Sequence, residues 1–327
     1  MTLYAAAVLL VVFGLLMAAL DVLLLALTPW LFQRLARTPP GPRTDAILLI
    51  RSLPFGLAAA ATVLVFLPAW WRHEPQGTGE TGSAFLLALA GLSTLPLLQG
   101  LHRAVLMFMK TRDRLRIWRG RGQPNSWVQS PFEVVEVRGE DLALCVGGYL
   151  RPTIYASTDV MKSLDPEELS AALAHEVSHA RRRDPLRLLW LGSCPDFLQL
   201  FRLDRSWRGA FSRACEFAAD AGASRGNPEV ALDLASALLK VARLKTFRPL
   251  SAEVLADVAV SSAFSSWLDL EARVEALANP ESEAAKAGSP LRPWMFAAAL
   301  LVLCAVGATA SEHVHAVTEG VARLLAP

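Results

Sequence analysis

Ala171-Ala172-Leu173-Ala174-His175-Glu176-Val177-Ser178-His179 decides how this chain is read. Residues four apart on an α-helix are surface neighbours, so H-E-x-x-H turns two imidazoles towards one point with a carboxylate beside them. Two such nitrogens can share one tetrahedral ion at about 2.0–2.1 Å, and Zn2+ suits this donor set. Glu176 is placed to take a proton from metal-bound water and to return it to a leaving amine. The flanks support a helix. Leu164-Asp165-Pro166-Glu167-Glu168 supplies an N-cap, a proline at the first helical position and acidic residues in the first turn. The helix is expected over residues 166–183, with Asp184-Pro185 as its stop.

Two histidines leave a catalytic zinc one protein ligand short. Downstream, Ala214-Cys215-Glu216-Phe217-Ala218-Ala219-Asp220 reads as a helix with Glu216 and Asp220 on one face. Glu216 is the expected third ligand. Asp220 is the expected acceptor for the remaining N–H of a ligand histidine, His175, which fixes its tautomer. An E-x-x-x-D pair is by itself a common pattern of solvated helix charges; it gains meaning by following H-E-x-x-H.

On these residues the chain resembles the membrane-embedded zinc peptidases of the BlaR1/MecR1 type (peptidase family M56), within the wider gluzincins. The resemblance runs over residues 134–277. It rests on Leu150-Arg151-Pro152-Thr153-Ile154-Tyr155, on the stretch from Leu164 through the basic run Arg181-Arg182-Arg183-Asp184, on Glu216 to Asp220, and on Leu270-Glu271-Ala272-Arg273-Val274-Glu275-Ala276-Leu277. Glu216 lies 37 positions after His179 (216 − 179), a gap that resembles M56 more than the HtpX-like peptidases of family M48, which share both motifs. Ala219 departs from the M56 pattern, where cysteine is expected before the aspartate. The resemblance implies an edge strand above the zinc helix, at Leu142-Ala143-Leu144-Cys145-Val146, to which an extended peptide would add by main-chain hydrogen bonds. It also implies signalling by regulated proteolysis, in which a cytoplasmic transcriptional repressor or the peptidase itself is cut. The 17 residues after Ala310 hold no external penicillin-binding sensor domain of the BlaR1 kind, so a β-lactam signal is expected only with a separate sensor partner.

Composition sets the location. A hydrophobic fraction of 53% with 19% charged residues in 327, and a mean hydropathy of +0.36, are too apolar for an ordinary soluble protein. The excess falls in blocks at 3–30, 46–71, 84–109 and 294–310, each long enough to cross a bilayer. The first lacks the basic start and short core of a cleavable signal peptide. Arg34, Arg37 and Arg43 follow the first block, and Lys110, Arg112, Arg114, Arg116, Arg119 and Arg121 follow the third. The positive-inside rule then places both termini outside and residues 110–292 in the cytoplasm of a bacterial inner membrane. Within the spans, Asp21 and Arg51 read as a charge pair or as snorkelling side chains, or else as a coupling element between membrane and peptidase.

Residues 110–292 suffice for one compact domain. Segments 126–137 and 141–155 alternate like strands, and helices dominate to Ala278. Residues 187–201 read as a helix on the membrane surface or over the active site, and 279–291 as a linker. Cys145, Cys194, Cys215 and Cys304 form no C-x-x-C, and the first three are expected as reduced thiols. His313 and His315 lack further ligands nearby. With a net charge of +2 and no phosphate-binding glycine loop, nucleic-acid partners are not expected.

The expected protein is therefore an α+β zincin domain of gluzincin type, with an H-E-x-x-H helix and a small antiparallel sheet, set among four transmembrane helices: 1–109 with three spans, 110–292 the peptidase, 293–310 the fourth span, and 311–327 an external tail. Its expected activity is zinc-dependent cleavage of a protein substrate by His175, His179, Glu216 and Glu176, with Tyr149, Tyr155 and Arg273 as candidate oxyanion donors. Two rivals are an M48-like quality-control peptidase and a membrane receptor or scaffold whose zinc centre is structural or absent.

Overall fold

The computed structural model describes residues 3–73, 84–125, 129–138, 144–197, 205–246 and 269–279, with Ala316 and Gly320. The expected fourth span, most of the linker before it and most of the tail, with His313 and His315, lie outside the described residues.

Three helices are long and apolar enough to cross a membrane. Helix α1 spans Leu3–Ala36. Helix α2, Pro40–Ala61, passes through a π-helical turn at Thr62–Phe66 into α3, Leu67–His73. Helix α4 spans Ala84–Arg121. At 1.5 Å per residue the 38 residues of α4 reach about 57 Å, well beyond the ~30 Å hydrocarbon core, so its basic end projects out of the bilayer. Small residues let these helices approach. A Cβ on Gly14 would lie 2.1 Å from Ser93 Oγ, which joins α1 to α4. Exposed Leu15, Val22, Leu92 and Leu98 form the outer surface, as lipid-facing side chains do.

From α4 the chain enters a four-stranded sheet of β1 (Gly122–Pro124), β2 (Val134–Val137), β3 (Leu144–Gly147) and β4 (Thr153–Ser157), in the order β1-β2-β4-β3. The sheet is mixed, which corrects the expectation of an antiparallel one. β3 and β4 form a hairpin through Gly148 (φ 97°), but β4, its second arm, takes the place beside β2 and runs parallel to it. Side chains alternate across this sheet. Val134, Leu144, Val146, Ile154 and Ala156 join the core beneath the motif helix. Val135, Val137, Cys145 and Tyr155 pack on the other face, against Trp118 of α4.

Helix α5 (Thr158–Ser163) leads into α6, Pro166–Arg182, which carries the motif. Asp165 and Glu168 form a capping box and Pro166 opens the helix. Arg183 ends it in the left-handed region (φ 55°, ψ 42°), and α7, Asp184–Ser193, starts at once. Helices α8 (Arg205–Ser224), α9 (Pro228–Thr246) and α10 (Leu270–Ala278) complete the domain. Leu234, Leu238 and Val241 of α9 fill the same core as α6.

Helix α7, Asp184–Ser193, overlaps the stretch expected to lie on the membrane surface or over the active site. It is shorter than expected and docks between α2, α4 and α8: Leu191 is buried with Ile47, Ile50 and Phe211, and Gly192 meets Met107. Its polar residues explain this docking, because α2 satisfies them. Arg187 pairs with Asp45 and Thr44, Trp190 Nε1 donates to Ser52 Oγ at 2.8 Å, and Arg182 bonds Thr44. Beyond α7, Asp196 pairs with Arg51, and Phe197 N–H donates to Asp21 Oδ2 at 2.8 Å. Asp21 and Arg51 do not snorkel to water: both are buried and grip the segment after α7, and Arg51 also acts on Asp21 through its charge.

Candidate active site

The i, i+4 spacing on α6 sets the rings of His175 and His179 edge to face, with centroids 4.7 Å apart and Nε2 atoms 3.0 Å apart. Helix α8 crosses α6 closely because Gly222 lacks a side chain: a Cβ there would lie 2.3 Å from Ser178 Oγ. That crossing delivers Glu216. Its Oε2 lies 3.6 Å from His175 Nε2 and its Oε1 3.7 Å from His179 Nε2. The three ligand atoms fall within 4.8 Å of one another, and all three residues are buried. Donors about 2.0–2.1 Å from a shared tetrahedral ion would sit about 3.4 Å apart, close to these separations.

Hydrogen bonding tests whether a cation fits. His175 Nδ1 lies 2.9 Å from Asp220 Oδ1, and His179 Nδ1 lies 2.7 Å from Asp184 Oδ2. A carboxylate only accepts, so Nδ1 is the nitrogen that carries the proton in each ring: His179 donates it to Asp184, and His175 Nδ1 faces Asp220 at ion-pair distance. In the neutral rings both Nε2 lone pairs then face one another and the Glu216 carboxylate. Three acceptors converging in a buried space, with no donor among them, fit a cation by their chemistry. Burial alone would keep His175 uncharged, yet Asp220 and then Glu216 outweigh it and hold its pKa up at about 9. The same negative field that favours a proton there favours a divalent ion.

Arg273 of α10 organises the acidic side. Its Nε and Nη2 donate to Asp220 at 2.8 and 2.7 Å, and Nη1 lies 3.0 Å from Glu216 Oε2. Burial would raise the pKa of both carboxyls, but the Arg273 charge overrides it and holds each below its ordinary value. Glu176 adds to the negative charge felt by Arg273 and is itself fully buried on α6.

Each of the three expected oxyanion donors has other partners. Arg273 is 1% exposed and all three guanidinium nitrogens face the two carboxylates, so it is a positioning residue. Tyr155 points to the opposite face of the sheet from α6, because strand side chains alternate, and packs on Trp118 with centroids 5.5 Å apart. Tyr149 stacks on Phe108 and donates to Met107 O at 3.3 Å, against α4. Among the described residues β3 is a terminal strand of the sheet; Leu144 and Val146 point into the core with α6 and Cys145 to the other face, while Leu142 and Ala143 lie outside the described residues. Cys215 packs with Ile47 and Trp207, away from the ligands, and burial pushes its thiol pKa well up.

Sequence reading missed Asp184 as a partner of His179. It registered only as part of a helix stop, although an acid immediately beyond the turn that ends a ligand helix is a detectable signal. The grip of α2 on α7 was missed as well; Thr44, Asp45 and Ser52 carry no motif.

The family model for Peptidase family M48 matches residues 124–203, covering β2 to β4, α5, α6 with both histidines, and α7. Glu216 and Asp220 lie beyond that stretch. No curated protein matches the chain. The matched domain and the three apolar helices support a membrane-associated metallopeptidase, a peptide-bond hydrolase. Zinc is the metal general to that family. The match is to M48, which corrects the nearer likeness to M56 drawn from the spacing of Glu216.

Proposed function

We propose that the protein is a zinc-dependent endopeptidase of M48 type that cleaves damaged or unfolded proteins at the membrane, with Zn2+ held by His175, His179 and Glu216. The observation that carries the reading is the convergence of three buried acceptors whose histidines are fixed by Asp220 and Asp184. A bound zinc ion would supply a Lewis acid and lower the pKa of a water molecule. Glu176 would take the proton from that water and deliver it to the departing amine. Asp184 and Asp220 keep both imidazoles in the tautomer whose Nε2 can ligate, and Arg273 holds Glu216 and Asp220 ionised. His175, Glu176 and His179 are 0% exposed.

Positive-inside charge supports a cytoplasm-facing domain. Regulated cleavage of one repressor or of the chain itself is the second reading, favoured by the 37-position gap between His179 and Glu216 (216 − 179) and by the basic run before Asp184. Purified protein in lipid vesicles, incubated with an unfolded protein, tests the activity. The parent is expected to cut at many positions, and Glu176→Gln to keep its metal while losing about 10²–10⁴-fold in rate. Equal rates in the two would rule out Glu176 as the base, and a single cleaved target would favour the second reading.

A further inference from the structure

A second cavity, of about 810 Å³, lies away from the metal ligands, between the projecting end of α4 and the β3–β4 hairpin. Arg112, Arg116 and Arg119 line it from α4 and Arg151 from the hairpin. Its carboxylate, Glu133, is taken by Arg119 at 2.6 Å and by Thr153 at 3.3 Å. Arg112, Arg116 and Arg151 are exposed and have no acidic partner among the described residues. Three unneutralised guanidinium groups around one cleft attract an anion, and the planar fork of arginine suits phosphate oxygens.

The rest of α4 says what carries that phosphate. Leu98, Leu101, Val105, Phe108, Arg112 and Arg116 follow one another at spacings of three or four, so they form a single stripe along the helix. The first four are exposed apolar side chains and the last two line the cleft. From Leu98 to Phe108 the helix rises about 15 Å, the depth of one leaflet of a ~30 Å hydrocarbon core. At the hairpin tip, Leu150 is 76% exposed beside Tyr149, which is stacked on Phe108. We propose that this stripe and cleft bind one anionic phospholipid, its acyl chain along Leu98 to Phe108 and its phosphate between Arg112, Arg116 and Arg151. A soluble phosphate ester would use the arginines but leave the apolar track without a role. The proposal needs α4 to cross the bilayer and does not depend on peptidase activity.

Native mass spectrometry of the full-length protein in neutral detergent, titrated with phosphatidylglycerol, phosphatidylcholine or glycerol 1-phosphate, tests it. The parent is expected to retain one phosphatidylglycerol in preference to phosphatidylcholine, undisturbed by equimolar glycerol 1-phosphate. The triple variant Arg112→Gln, Arg116→Gln, Arg151→Gln should bind at least about tenfold more weakly, since each juxtamembrane arginine contributes to anionic lipid binding. A second triple variant, Arg37→Gln, Arg121→Gln, Arg138→Gln, removes the same charge from outside the cleft and should bind like the parent. Equal loss in both triples, no preference between the two lipids, or displacement by glycerol 1-phosphate would each overturn the assignment.

Discussion

Replacing Arg273 by methionine should destabilise the peptidase domain more than any other single change at the site. The guanidinium makes three contacts of 2.7–3.0 Å to Asp220 and Glu216 and is 1% exposed. Methionine fills similar volume, so the loss is electrostatic: two carboxylates one helical turn apart remain buried without their cation. Removing one partner from a buried ion pair costs about 3–5 kcal/mol. For a domain of this size each kcal/mol shifts the melting midpoint by about 2–4 °C, so the metal-free variant should melt about 6–20 °C below the parent. A divalent ion restores positive charge beside Glu216, so added zinc should raise the midpoint further in the variant than in the parent. Circular dichroism melts of chelator-treated protein, with and without zinc, measure both effects. Arg273→Lys should fall between, because a lysine keeps the charge but cannot make the bidentate bond to Asp220. Coincident melts of the methionine variant and the parent would refute the role given to Arg273.

The remaining expectations concern the same framework. Asp184→Asn keeps an acceptor near His179 Nδ1 but removes its charge, and zinc affinity by competitive titration should fall about 10–100-fold with the fold intact. Gly222→Ala should push α8 from α6 at Ser178 and weaken zinc binding, and adding Ser178→Ala should recover part of the loss, since the closest clash, with Oγ, is then gone. Burial alone would raise the pKa of Glu168, but Lys240, Ser236 and the Asp165 N–H lower it on balance. Its folded pKa lies below the ordinary 4.5, so its contribution is present above that value and is lost as pH falls through the depressed one. Glu168→Gln should therefore flatten the acid limb of a stability–pH curve, and Glu168→Ala should cost about 1 kcal/mol through the lost cap.

Much of the site was readable because its logic is local. H-E-x-x-H brings two imidazoles together by helix periodicity, and Asp165, Pro166 and Glu168 mark where that helix starts. Glu216 and Asp220 followed from the need for a third donor and a tautomer partner. The roles of Tyr155 and Arg273 were not readable, because they depend on which sheet face a strand residue occupies and on how a distant helix docks. The parallel pairing of β2 with β4 escaped for a similar reason: alternation marks strands but not their neighbours. Asp21 and Arg51 stand out in the sequence as ionisable residues in apolar helices, yet their partners, Phe197 and Asp196, lie about 145 or more positions away and only the folded chain brings them together.

The central claim is that two imidazoles and one carboxylate hold a single divalent ion. X-ray absorption at the zinc edge on the purified full-length protein tests it most directly. One zinc per chain with two imidazole nitrogens and oxygen donors at about 2.0–2.2 Å is the predicted result, with occupancy lost in His179→Ala and in Glu216→Ala. A sulfur donor at about 2.3 Å, or zinc retained in full after Glu216→Ala, would contradict it.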